Sequence, residues 1–211
     1  MALSILAIDE AAQSLLQCVC EALDRLPTEV PGLYGCPCRN GVVAGTPAAD
    51  ACDTGCQPVD PDEYPGQLTV NVVRLYASDR TSFPRELGSL ASGQVGSGVR
   101  STKNCILPQV TAVEMAVTVF RCTPLPSDMG CPPSMTDLSS TALQVHADML
   151  AVQQGILCCL AGTDPTMRDG RRYVMGQTRS IGPQGGCVGF ETRLTIALDD
   201  CLPCPDGTAA G

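Results

Sequence analysis

The chain has 211 residues, with 13 Lys and Arg against 22 Asp and Glu, and a formal net charge of −9 at pH 7. This excess of acid argues against a surface that binds nucleic acid through its phosphates, because Lys and Arg supply that affinity. The sequence contains no run of about 20 apolar residues and so predicts no membrane-spanning helix. Aromatic residues make up 3% of the chain and Trp is absent, so we expect a core of aliphatic side chains and cysteine in one domain.

The first predicted element is an amphipathic helix over residues 7–26, followed by an insertion at 27–66. Pro27 and then Pro31 are expected to end the helix. The insertion holds seven prolines and four cysteines, and regular structure is not expected there. The apolar residues of the helix recur at helical spacing and are Ile8, Ala12, Leu15, Leu16, Val19, Leu23 and Leu26.

Two strands are predicted at 67–77 and 109–122, separated by a Gly-rich loop at 80–108. The part of this loop from 84 to 104 is expected to be mobile in a free subunit and ordered by a neighbour. In the first strand, the alternation predicts one shared face for Val70, Val72, Arg74 and Tyr76. In the second strand, it predicts one shared face for Val113, Met115, Val117 and Val119.

The remaining elements are a helix over 134–161 and a β-hairpin. Ser134 or Thr136 is expected to cap the helix. The hairpin joins strands at 171–181 and 187–199 through a Gly-rich turn. The whole order predicts an α+β fold: two layers, with two helices packed on an antiparallel sheet of about four main strands.

The 14 cysteines need an explanation of their own. The N-terminal sequence has no Lys or Arg before Arg25, and its apolar run of about eight residues ends in Asp9 and Glu10. This is not the pattern of a secretory signal, so we expect folding in a cytosol, where disulfides are uncommon. The insertion brings together Cys36, Cys38, Cys52 and Cys56. We predict disulfides among these four, with tetrahedral zinc and free thiols as alternatives that the spacing leaves open.

Two further pairs of cysteines do not indicate a redox or metal site. Cys158 and Cys159 are neighbours on a helix and must point apart, one toward the core and one outward. Cys201 and Cys204 have the spacing of a redox motif, but Pro205 blocks the helix that such a motif requires.

No set of residues indicates catalysis or cofactor binding. The only histidine is His146, which lies in the middle of a predicted helix without a nucleophile nearby in sequence. The glycines at 93, 96 and 98 lack the Gly-Lys-Ser/Thr of a phosphate-binding loop. The sequence therefore predicts no catalytic residue, no metal site apart from the zinc alternative, no cofactor and no enzyme.

The element order resembles the tail-terminator proteins of long-tailed, siphovirus-like bacteriophages. The resemblance covers about two-thirds of the chain. It rests on Val110–Cys122 running into Thr123-Pro-Leu-Pro, on the helix 134–161, and on the closing segments Tyr173–Ile181 and Gly189–Leu198. The insertion 27–66 and the cysteine-containing C-terminal tail depart from the family pattern.

The resemblance implies one tail-terminator-like domain over 1–211 and a structural role in the virion. Such proteins form a ring, typically a hexamer, at the head-proximal end of the tail tube. The ring ends tube polymerisation and contacts both the tail tube protein and a head-completion protein. DNA passes through the lumen without specific binding. A particle assembled in the host cytoplasm and then released would also let nearby thiols oxidise.

Two alternatives remain open at this stage. The chain is another head–tail connector, such as a stopper or adaptor, or a tail-tube protein; or it is a cytosolic zinc- or thiol-dependent protein. For a ring, the net charge predicts an acidic lumen along which DNA slides. Strands that do not close into a barrel predict edge-to-edge contacts between subunits.

Overall fold

In the computed structural model, one mixed sheet carries two long helices on one of its faces. The structure describes residues 5–49, 64–79, 81–86, 109–126, 130–161, 173–184 and 186–198. The helices are α1 (Ile5–Leu23), the short α2 (Leu26–Glu29) and α3 (Met135–Ala161); the strands are β1 (Pro37–Val43), β2 (Tyr64–Asp79), β3 (Gln109–Cys122), β4 (Tyr173–Gln184) and β5 (Cys187–Leu198). The predicted α+β class is confirmed, and no described helix is long and apolar enough to cross a membrane.

The sheet has five described strands in the order β1-β2-β3-β5-β4. β1 pairs with β2 in parallel, and every other pair is antiparallel. The predicted strand 109–122 coincides with β3, and the predicted hairpin is formed by β4 and β5. The sheet is therefore mixed, with one strand more than the sequence predicted.

The additional strand, β1, lies in the insertion where regular structure was not expected, so that expectation is wrong for Pro37–Val43. Proline is compatible with a strand at its first residue, where no ladder hydrogen bond is lost, and this is where Pro37 lies. The rest of β1 gains its order by pairing with β2 rather than from its own composition. The insertion thus adds an edge to the sheet.

The core lies between the sheet and the helices. α1 contributes Leu15 and Val19, and α3 contributes Val152 and Ile156; all are buried against the valines of β3 and the alternate residues of β5. The prediction that Val113, Met115, Val117 and Val119 share a face is confirmed, since all four belong to this core.

The two long helices approach each other closely at Gly155 of α3. A β-carbon on Gly155 would lie 3.1 Å from the carbonyl oxygen of Cys18. The close approach of the two helices therefore favours glycine at 155, despite its poor helix propensity.

The predicted face of β2 is wrong in its second half. Arg74 pairs with Glu114 and Val72 with Met115, with a β-bulge at Val73 between them. A bulge inserts one extra residue and so exchanges the two faces of the strand beyond it. Val70 and Val72 face the helices, whereas Arg74 and Tyr76 lie on the opposite face.

The ends of the long helices differ slightly from the prediction. α1 ends at Leu23, and residues 26–29 form the separate turn α2. Ser134, not Thr136, caps α3: its hydroxyl accepts a hydrogen bond from the backbone N–H of Asp137 and donates one to the Asp137 carboxylate. This reciprocal pair fixes where the helix begins.

Candidate assembly surfaces

The two outer strands of the described sheet run in opposite directions. β1 runs parallel to β2, and three successive antiparallel pairings then lead to β4. β4 has 12 residues, most of them exposed, and Arg179 is its only charged residue. Long edges with few charges are templates for pairing with another chain. If subunits join head to tail, β4 of one meets β1 of the next as an antiparallel pair.

A line of alternating charges crosses the sheet on the face away from the helices. Arg74 on β2 contacts Glu114 on β3, and the other oxygen of Glu114 accepts a hydrogen bond from Arg193 on β5 at 3.2 Å. Arg193 also contacts Glu191 at 2.7 Å, and Glu191 lies 3.6 Å from Arg179 on β4. The hydrogen bonds that Arg193 donates to the carboxylates of Glu191 and Glu114 raise its pKa. This line joins four strands and leaves the centre of the face nearly neutral.

Beside this line, polar side chains are buried on the same face. Gln67, Thr69 and Asn71 on β2 and Thr118 on β3 are each about 95% buried or more. The side-chain oxygens of Thr69, Asn71 and Thr118 accept no hydrogen bond from any described residue. Buried oxygens of this kind are normally satisfied by protein or water.

A buried ion pair connects the insertion to α3. Arg121, at the end of β3, donates to Asp148 of α3 with Nε at 2.7 Å and with Nη2 at 3.0 Å. Its Nη2 also donates to the carbonyl oxygen of Gly35 at 2.7 Å. Gln144 donates to the same carboxylate at 2.8 Å. Burial raises the pKa of Asp148, and the bonds from Arg121 and Gln144 offset part of that rise.

This network holds the backbone of the insertion at a fixed place. Gln144 accepts a hydrogen bond from the backbone N–H of Tyr34 at 2.7 Å, and Asp24 accepts one from Cys36 at 2.8 Å. A β-carbon on Gly35 would lie 2.7 Å from both Asp24 Oδ1 and Tyr64 Cε2. A larger residue at 35 would therefore displace the Asp24 carboxylate or the Tyr64 ring.

Two disulfides join pairs of described cysteines, and both start on α1. Cys18 bonds Cys159 of α3 across 5.8 Å between Cα atoms, and Cys20 bonds Cys36 at the start of the insertion across 5.0 Å. Residues two apart on a helix point to different sides, so α1 is fastened both to α3 and to the insertion. Cys158 is exposed, which confirms that it and Cys159 point apart.

The predicted pairing within the insertion is therefore wrong for Cys36, whose partner is Cys20. Cys38 is also disulfide-bonded. Sulfurs held in disulfides are not the thiolates that zinc requires, so Cys36 and Cys38 do not form a zinc set in this oxidised structure. Cys52 and Cys56 lie outside the described residues, as do Cys201, Cys204 and the loop from 87 to 108.

The outward faces of the two long helices differ in charge. α1 and the residue after it expose acidic and amide side chains, with no basic residue before Arg25; they are Asp9, Glu10, Gln13, Gln17, Glu21 and, just after the helix, Asp24. Glu10, Glu21 and Asp24 border a groove of about 570 Å³ between α1 and β1. We call this row the acidic row of α1. α3 exposes His146 and several leucines, and it carries no charged residue after Asp137 apart from the buried Asp148.

Sequence reasoning missed the ion pair of Arg121 and Asp148, although a signal was present. Arg121 continues the apolar side of β3 after Val119, and Asp148 falls among the apolar positions of α3. Charged residues at two core positions indicate a buried pair. The bonds of Cys18 and Cys20 left no comparable signal, because sequence spacing does not reveal which distant cysteines meet.

Comparison with known proteins assigns no family to this chain. No protein-family model matches the sequence, and no curated protein matches it significantly.

Proposed function

We propose that this chain is a structural protein of a bacteriophage tail, which forms a ring at the head-proximal end of the tail tube. The ring ends tube polymerisation and provides the surface that joins the tail to a head-completion protein. The observation that carries the proposal is the open sheet, whose outer strands β1 and β4 run in opposite directions. This geometry supports the resemblance in element order to tail terminators.

Ring formation follows from the two different edges. Joining β4 of one subunit to β1 of the next uses two different surfaces, which is a heterologous contact. Heterologous contacts repeat until the rotation between subunits closes a ring. The near absence of charge on β4 supports this use, because proteins normally protect exposed edges with charged residues.

The acidic row of α1 supports a role beside DNA. A duplex carries about one negative charge per 1.7 Å along its axis, so an acidic wall repels it and leaves it free to slide. We assign this row to the lumen of the ring. The disulfides support the proposal of a particle that persists outside the host cell. The bonds from α1 to α3 and to the insertion are stable under oxidising conditions.

Electron microscopy of particles that carry a tagged copy of the chain tests the proposal. The expected result is a symmetric ring at the junction of head and tail, with an acidic channel surface. Particles without the chain are expected to have tails of uncontrolled length. Density along the whole tube would instead identify a tail-tube protein, and a monomer absent from particles would overturn the proposal.

The edge contact has its own test. Gly176 and Gln177 lie in a bulge of β4, where the register with β5 shifts, so Gln177 takes no part in the regular ladder. Gln177→Pro removes a backbone donor from the outer strand at a point where the regular ladder with β5 is already interrupted. We expect loss of ring assembly with an unchanged circular dichroism spectrum, whereas the control Gln177→Ala still assembles. Rings formed by Gln177→Pro would exclude the β4 edge.

A further inference from the structure

The outward side of α3 carries a row of leucines that the fold leaves uncovered. Leu143, Leu150 and Leu157 are 56%, 68% and 40% exposed. They are seven residues apart, so successive members lie about 10.5 Å apart along the axis and within about 20° of one another around it. The exposed residues beside the row are polar but uncharged: Ser139, His146, Gln153 and Gln154. A row of exposed leucines repeated every seven residues is typical of the seam between two packed helices.

Other exposed apolar residues gather around this row. Val30 and Tyr34, on the segment that packs beside α3, are about half exposed. Of the twelve large hydrophobic residues exposed within the described part of the chain, seven lie on α3 or on this segment: Val30, Tyr34, Met135, Leu138, Leu143, Leu150 and Leu157. A concentration of this kind marks an interaction surface rather than the scattered apolar residues of an ordinary exterior.

We propose that this leucine face of α3 binds the same face of a second copy of the chain, with a two-fold axis at Leu150. Two antiparallel α3 helices then place Leu150 against Leu150, and Leu143 of each against Leu157 of the other. The even spacing of the row is what makes it match itself in this orientation. The contact is isologous, since both copies use the same residues.

Charge does not oppose a second copy at this face, although it does elsewhere on the surface. Each chain carries a net charge of −9, so two copies repel each other through most of their surface. The leucine face has no exposed Asp, Glu, Lys or Arg from Leu138 to Leu160. Two copies can approach here without bringing like charges together, and a strongly charged partner would gain nothing.

Shape favours self-association. A groove of about 300 Å³ runs between α3 and the α1–α2 region, with Ala22, Leu26, Ala147 and Ala151 among its lining residues and Leu150 at its side. Ridge and groove therefore lie next to each other on one surface, as an isologous contact requires. Arg25 and Glu29 also line the groove, so a second copy turned by 180° can set Arg25 toward Glu29.

This inference does not rest on the proposed function. A terminator ring needs two different ends, whereas a two-fold contact is symmetric. The α3 dimer therefore belongs to the free protein, in which it covers an apolar surface before assembly. In the particle, the same surface becomes available to another protein.

Sedimentation of the purified full-length chain over a concentration series tests the dimer. Leu150→Glu places two like charges against each other at the axis and is expected to weaken dimerisation by more than about 100-fold. Leu6→Glu is the matched control, because Leu6 is an exposed leucine of α1 (62%) outside the face, and it should dimerise like the parent. A chain that stays monomeric, or a Leu150→Glu variant that dimerises normally, overturns the proposal.

Disulfide crosslinking tests the position of the axis. In a Cys158→Ser background, Leu150→Cys is expected to form a crosslinked dimer on oxidation, because residue 150 meets its own copy. Leu143→Cys meets residue 157 instead and should crosslink only when mixed with Leu157→Cys. Equal self-crosslinking at 143 and 150 would overturn the two-fold arrangement. Rings that assemble normally from Leu150→Glu would leave the proposed function standing, because the two contacts use different surfaces.

Discussion

The two long helices lie side by side on the same face of the sheet, are joined by a disulfide, and differ in almost every other respect. The inner side of α1 is apolar throughout, whereas α3 buries Asp148 and Gln144 among its apolar residues. The outer side of α1 is an acidic row, whereas that of α3 is an uncharged leucine face. Packing on the sheet does not require this difference. We therefore infer that α1 faces water or DNA and that α3 faces protein.

The largest effect is expected from separating the two helices. Cys18→Ser with Cys159→Ser opens a loop with a sequence separation of 141 residues, and the chain-entropy relation predicts a loss of about 5 kcal/mol of unfolding free energy. Cys20→Ser with Cys36→Ser opens a loop with a separation of 16 and should cost about 3 kcal/mol. Urea denaturation of both double variants measures the difference. An equal loss of unfolding free energy in the two double variants would show that the disulfide between α1 and α3 stabilises the fold no more than the disulfide between Cys20 and Cys36.

The buried acid of α3 is compared with an exposed acid of α1 by removing one from each helix. Asp148→Ala leaves Arg121 buried without its carboxylate and is expected to cost about 3–5 kcal/mol. The control Asp9→Ala removes an exposed acid from α1 and should change stability by no more than about 0.5 kcal/mol. Thermal or urea unfolding provides the measurement. Similar small losses would mean that the ion pair does not hold α3 to the sheet and the insertion.

A smaller effect is expected from pH. Because burial raises the pKa of Asp148 above the ordinary value of 3.8, the folded state holds its proton more tightly than the unfolded state does. The resulting stabilisation is fully present below the ordinary pKa and is lost as pH rises through the folded-state pKa. The unfolding free energy of the parent minus that of Asp148→Asn should therefore fall as the pH is raised from below 3.8 toward neutrality. A difference that grows with pH would show a lowered pKa and a dominant ion pair.

The smallest effect on stability is expected from the outer side of α1. Glu10→Lys with Glu21→Lys replaces two exposed residues, and each replacement should change the free energy of unfolding by no more than about 0.5 kcal/mol. The same variant should bind duplex DNA in a salt-dependent manner, because each new cation releases counterions from the phosphates. Glu10→Gln with Glu21→Gln is the control and should bind no more tightly than the parent. Tight DNA binding by the parent itself would exclude the sliding surface.

Elements with a strong period of their own were predictable from the sequence. β3 alternates over its whole length, and the β4–β5 hairpin is bounded by a glycine-rich turn, so local pattern was sufficient for both. β1 was not predictable, because residues 37–43 have no strand pattern and gain order only from pairing with β2. The bulge at Val73 was hidden for a related reason: it shows only in the register with β3.

The candidate surfaces also divide into features that local sequence pattern predicts and features that depend on contacts between distant segments. The acidic row and the leucine face depend on which side of a helix is outward, and helical periodicity gives that side. The leucine face was not predicted, although the spacing of seven residues between Leu143, Leu150 and Leu157 is visible in the sequence. The ion pair and the disulfides of Cys18 and Cys20 join residues far apart in sequence, where only the three-dimensional structure shows which side chains meet.

The contrast between the two helices is tested most directly by alkylation of one engineered cysteine on each outer face. Leu150→Cys and Gln17→Cys, both in a Cys158→Ser background, place a thiol on α3 and on α1, and peptide mass spectrometry follows each site under non-oxidising conditions. In the associated protein, we predict slow alkylation at 150 and fast alkylation at 17, with both fast after dilution to the monomer. Equal and fast alkylation at both sites in the associated protein would contradict the assignment of α3 to a protein interface.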